Sequence, residues 1–199
     1  MEYRISKTRK FYLILSSCFL IFNYIILGFA FIIVDLREMN SIENSIYSIA
    51  YIIASSYIFL SFIDFFKYYK LKIIILLIWI ILITDVGNQL LNLFHSYYPI
   101  VPDYYNYALN IITFLTWIIW VIIIFRLDTE DYSGIQYFHK YSHSIIYSIG
   151  LAFTYLVIIM MLDLYEYSSL AILPNALPYI FVIYYAKNIR LMPKLLTNP

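Results

Sequence analysis

Six stretches of the chain, 11–34, 45–66, 73–94, 104–125, 145–164 and 168–186, each hold about 20 mainly apolar residues. As α-helix, that length crosses a hydrocarbon core of about 30 Å. Inside such a core only helices and closed barrels satisfy their own backbone polar groups. The runs are continuous rather than alternating, so they read as helices. The expected fold class is all-α: a polytopic integral membrane protein, a six-transmembrane-helix bundle in one domain over 1–199. Composition agrees, since only 13% of residues are charged against about 25% in a soluble domain. The longest polar segment, RLDTEDYSGIQYFHKYSH at 126–143, is too short to be a domain. Connections are short, so successive spans are expected to be antiparallel neighbours. No internal repeat stands out.

The N-terminal MEYRISKTRK followed by an apolar run resembles a signal peptide. That run, Phe11 to Val34, is longer than a signal core of roughly 7–15 residues, so it reads as an uncleaved first span. Leu15-Ser16-Ser17-Cys18 resembles a lipoprotein cleavage box, but apolar residues continue past it. A single cysteine excludes an internal disulfide and any multi-thiolate metal site.

Lysine and arginine positions set an orientation. With the N-terminus inside, the inner side holds Arg4, Lys7, Arg9, Lys10, Lys67, Lys70, Lys72, Arg126, Lys140, Lys187, Arg190 and Lys194. The outer side holds Arg37 alone. The bias predicts cytoplasmic N- and C-termini, and an odd number of spans would break it. The expected setting is a bacterial cell (inner) membrane, with the lipid bilayer as the first partner. Net charge is +1, with no basic face, so no nucleic-acid partner is expected.

Within the third span, KIIILLIWIIL runs into ITDVGNQLLNLFH. Asp85 lies about 18 Å from the inner edge of that span, inside the hydrocarbon region. At about 100° per residue, Asp85, Asn88, Asn92 and His95 fall on one face, with Gln89 beside them. An ionisable residue at this depth costs about 2.5–3.5 kcal/mol on insertion scales and usually faces a bundle interior or cavity. The alternative is a structural aspartate, with the amides as glue between helices. His95 is expected at the interface.

The fourth span carries Asn106, Asn110, Thr113, Trp117 and Trp120 on one face. The tryptophans suit either a pocket floor or, for Trp120, an interfacial belt. The sixth span contains Leu173-Pro174-Asn175-Ala176-Leu177-Pro178-Tyr179, whose prolines free the carbonyls of Leu170 and Pro174. Freed carbonyls in broken helices coordinate cations in many transporters; a tolerated kink satisfied by neighbouring helices is the equal alternative. The expected ligand-binding set is Asp85, Asn88, Gln89, Asn92, Asn110, Asn175 and Trp117, lining one cavity open to the outside, with Asn23 as its floor. It requires spans three, four and six to meet.

Other features carry less. His139 and His143 share a helical face, but with only three histidines in the chain they are weak metal candidates, and no metal site or cofactor is expected. Asp64 and Lys67 are spaced for an interfacial ion pair. Ala50, Ala54 and Ser55 form a small-residue patch for close packing or self-association. The basic tail from Lys187 suits anionic headgroups or a cytoplasmic partner.

The leading functional expectation is binding of a small polar or cationic solute or ion for transport. No nucleotide site is present, so energised transport would need a cytoplasmic protein partner. The alternative is a non-catalytic accessory protein: a sensor, an immunity or defence factor, or an oligomeric pore built as a homo-oligomer. Four glycines favour such a static bundle. A membrane-embedded lipid enzyme ranks third, because Asp85 and His95 are about 15 Å apart along one helix. No enzymatic activity is expected.

Overall fold

The structure, a computed structural model, describes residues 3–33, 41–97, 104–128, 131–132 and 134–189. Five long α-helices come first: α1 Lys7–Ile33, α2 Ser41–Tyr68, α3 Lys72–Tyr97, α4 Tyr104–Phe125 and α5 Ile135–Leu162. The sixth apolar stretch is divided. Tyr165–Ala176 is a 3-10 helix, and Leu177–Asn188 forms α6. No strand occurs among the described residues. Six helical segments are long and apolar enough to cross a membrane: Lys7–Phe29, Ser45–Tyr68, Lys72–Phe94, Tyr107–Phe125, Ile135–Leu162 and Tyr167–Asn188.

Local chemistry explains the boundaries. α2 stops where Lys70 turns left-handed (φ 59°), with the Leu71 N–H on the Phe66 carbonyl at 3.0 Å; this is how helices commonly close. α5 ends in the same way at Asp163 (φ 58°), its N–H on the Ile159 carbonyl. At the start of α5, Gly134 has φ 97°, a conformation that L side chains rarely adopt. The helix therefore begins at Ile135, well before the apolar run starts at 145. Ile135, Phe138, Tyr141 and Ile145 recur on one buried face, so the polar residues among them lie on the other side of the same helix. In the last span Pro174 sits within the 3-10 helix. Pro178 occupies the first turn of α6, where a missing N–H is harmless.

Each helix meets the next one in the chain, as the short connections predict, and the sixth apolar stretch returns to pack on α1. α1 lies against α2, the 3-10 helix and α6; α2 meets α3, and α3 meets α4. The 3-10 helix and α6 both pack on α5, whereas α4 and α5 meet only briefly. The gap between α2 and α5 is filled by rings. Phe62 stands edge-on to Phe138 (centroids 5.0 Å) and Tyr141 (5.2 Å), Phe65 lies 4.6 Å from Phe138, and Trp120 is edge-on to Phe66 at 5.4 Å. Lipid is as apolar as these side chains, so helix association in a bilayer rests on packing and hydrogen bonds. With few glycines to admit backbones, edge-to-face aromatic contacts supply that packing here.

Two sequence expectations change. Asp64 pairs with Arg9 of α1, not with Lys67. A lysine three residues on along the same helix gives only a weak exposed pair, whereas Arg9 reaches across from a packed neighbour. Trp120 is 1% exposed, so it belongs to the aromatic core and not to an interfacial belt; its indole N–H donates to Ser142 Oγ at 3.2 Å.

Candidate functional site: a polar cavity and a buried carboxyl

α1, α4, α5 and the junction between the 3-10 helix and α6 surround a cavity of about 290 Å³. α4 contributes Asn110, Thr113, Phe114 and Trp117 at helical spacing; α5 contributes Tyr141, Ile145, Ser148 and Ile149. Asn175, Pro178 and Tyr179 come from the 3-10 helix and α6, and Tyr24 from α1. Polar groups thus converge from four directions on one space within the bundle.

The expected residues divide around it. Asn110, Asn175 and Trp117 line the cavity. Asp85, Asn88, Gln89 and Asn92 do not appear in its wall. α6 packs on α1 and α5, and α3 contributes no residue to the cavity wall. Asn88 lies one contact behind the wall: its amide N–H donates to Asn110 Oδ1 at 2.9 Å. Gln89 is half-buried and Asn92 exposed on the same helix. The side chains of His95 and Asn106 fall outside the described residues.

Asp85 reaches the cavity through hydroxyls. Tyr51 of α2 donates to Asp85 Oδ1 at 3.5 Å. The Tyr51 and Tyr24 oxygens are 3.2 Å apart. Tyr24 stacks on Tyr179 (centroids 5.8 Å), and their phenols adjoin. Ser55, from the small-residue patch, adjoins the same carboxyl and is buried with Ala54. Two cavity-lining phenols, Tyr24 and Tyr179, are therefore linked by one further hydroxyl to a buried carboxyl. The sequence gives little sign of this, because a tyrosine in one of 23 positions reads as apolar span or interface.

The region is rich in acceptors. Asp85 Oδ2, Asn88 Oδ1 and Asn23 Oδ1 are buried with no hydrogen-bond partner, as is the Tyr47 hydroxyl. Asn23 is 2% exposed, as its expected place inside the bundle requires, but it is not among the lining residues. The Pro174 carbonyl, freed by the sixth-span break, is engaged: it takes the Leu177 N–H and faces Ser148 Oγ at 2.6 Å. Ser148 Oγ also lies 2.8 Å from the Ser144 carbonyl. A hydroxyl has one proton, so two carbonyls share one donor at the edge of the cavity. Buried acceptors without donors are costly, and a donor or a cation relieves them.

His139 and His143 have other duties. His139 Nε2 lies 2.9 Å from the Ile124 carbonyl, and both rings pack on Phe125. No group of three or more metal-ligating side chains occurs among the described residues. Cys18 is exposed and unpaired.

The fold and site define an all-helical bundle, with six helical segments long and apolar enough to cross a membrane and a cavity of mixed polar and aromatic lining among them. Comparison of the chain with protein-family models, with curated proteins and with solved structures gives no match.

Proposed function

We propose that this protein binds a small polar or cationic solute in its intramembrane cavity, as a step in transport, with both termini in the cytoplasm. The observation that carries the reading is a cavity of about 290 Å³ into which Asn110, Thr113, Ser148 and Asn175 converge, with unpartnered buried acceptors on Asn88 and Asp85 linked to its wall through Asn110 and the tyrosine hydroxyls. Such a space favours a ligand that donates hydrogen bonds or carries positive charge. Asn110 and Asn175 orient the ligand, and Trp117 and Tyr179 offer ring faces, which attract cations. Asp85 acts at one remove, as counter-charge or proton acceptor through Tyr51 and Tyr24. Energised transport would draw on a cytoplasmic partner.

The test is thermal stability of the purified protein against a panel of inorganic cations, small amines and polar solutes. A ligand of the native state raises stability in proportion to the logarithm of its concentration. The expected result is stabilisation by an amine or cation that is reduced in Asn175→Leu and in Asp85→Asn. If no member of the panel shifts the protein, the binding reading fails.

A further inference from the structure

A second space adjoins the polar cavity along part of its wall. Phe114, Trp117, Ile145 and Ile149 belong both to the cavity and to this second space of about 130 Å³ between α4 and α5. That second space is wholly apolar in its side chains, continuing over Ile118, Val121, Ile122 and Ile146. It exists because α4 and α5 touch only briefly, whereas neighbouring helices normally close such seams by setting ridges into grooves. From Phe114 to Ile122 the groove follows α4 for about 12 Å.

Of these two adjoining spaces, one offers amides, hydroxyls and ring faces, and the other offers only hydrocarbon. We infer that the cavity and the α4–α5 groove together bind a single-chain amphiphile, its hydrogen-bond-donating amine head in the polar cavity and its alkyl chain along the seam. The inference rests on the binding reading above and narrows it. A compact polar solute fills the cavity and leaves the groove to bulk lipid. An amphiphile uses both, and it enters sideways from the bilayer without first crossing water. Its head donates to acceptors at the Ser148–Pro174 carbonyl junction and to the Asn175 amide oxygen, and Trp117 stands at the corner where head and chain join.

Trp117 is also the reporter. The chain has three tryptophans; Trp79 is 39% exposed on α3, and Trp120 is buried in the aromatic core. In a Trp79→Phe background in lipid nanodiscs, dodecylamine carrying bromine on its terminal carbon is titrated and tryptophan quenching is followed. The expected result is saturable quenching, reversed by unbrominated dodecylamine and at least tenfold weaker in Ile149→Phe, which fills the shared wall. Asn175→Leu should weaken the amine and leave 1-bromododecane unaffected. Quenching that rises without saturation, or that is equal for 1-bromododecane, reports bulk or headless contact and overturns the inference. n-Butylamine separates the two readings. If it stabilises the protein as well as dodecylamine does, the cavity binds and the chain site fails. If neither amine acts, both fail. Competition by dodecylamine in unmutated walls keeps the test valid if a variant folds poorly.

Discussion

The phenol oxygens of Tyr24 and Tyr51 lie 3.2 Å apart, and Tyr51 in turn donates to Asp85 Oδ1 at 3.5 Å. Three helices are thereby tied through one carboxyl, and Tyr24 carries the link to the cavity wall. Removing the middle hydroxyl tests it. Tyr51→Phe should lower the thermal midpoint, and Asp85→Asn should reduce the cost of that change. A double-mutant cycle in detergent should give a coupling of about 0.6–1.7 kcal/mol, the range for polar pairs between membrane helices. Additive effects would mean that the two groups do not interact.

Gly28 is required by its neighbour. A Cβ there would overlap the Leu173 side chain, and the Gly28 carbonyl accepts from Ser169 Oγ at 3.0 Å. Gly28→Ala should destabilise by about 1–3 kcal/mol, as overpacking does, and Leu173→Ala should recover part of the loss. Gly150, with open space around its Cα, is the control: Gly150→Ala should be neutral or stabilising by up to about 1 kcal/mol. Calorimetric midpoints of Gly28→Ala, of Gly28→Ala combined with Leu173→Ala, and of Gly150→Ala decide it.

Ser148 joins α5 to the broken sixth span through the Pro174 carbonyl. Ser148→Ala leaves that carbonyl with the Leu177 N–H alone. The expected cost is about 1 kcal/mol, with faster amide exchange over 174–180 than elsewhere in α6. Unchanged exchange would assign the junction's order to the 3-10 backbone itself.

Trp120 combines packing with one hydrogen bond. Trp120→Ala should cost about 3–5 kcal/mol, in the range for a buried aromatic truncated in a tight core. Trp120→Phe keeps a ring against Phe66 and loses the bond to Ser142, so about 1 kcal/mol is expected. A Trp120→Phe loss as large as that of Trp120→Ala would show that shape governs the site and the hydrogen bond does not.

The lysine and arginine bias makes a topological prediction. In a Cys18→Ser background, Lys187→Cys in intact cells should be protected from an impermeant thiol reagent added outside. Asp163→Cys, at the far end of α5, should react. The reverse pattern would invert the assigned orientation.

The secondary structure was readable from the apolar runs because a span must satisfy its own backbone. Length and hydropathy therefore suffice to mark six segments. Pro174 and Pro178 marked an interruption in the sixth span, but a break and a tolerated kink stood as equal readings, and the 3-10 helix from Tyr165 was not legible in the sequence. The early start of α5 was partly hidden, because Lys140 and His143 interrupt the apolar run without leaving the helix. The polar face of α4 was legible in its spacing, and Asn110, Thr113 and Trp117 do face one cavity.

Neighbour choice beyond chain order was not in the pattern. A periodic stripe tells which residues share a helix face but not which helix that face meets, and in lipid several apolar faces pack almost equally well. Aromatic interdigitation of Phe62, Phe65 and Phe66 with Phe138 and Tyr141 sets α2 opposite α5, and α6 settles between α1 and α5. That arrangement moves Asp85 behind two tyrosines and opens the α4–α5 seam. The number and ends of the helices follow from each segment's own hydrogen bonding. The cavity, and Asp85's indirect access to it, follow from long-range side-chain packing, which no local stretch encodes.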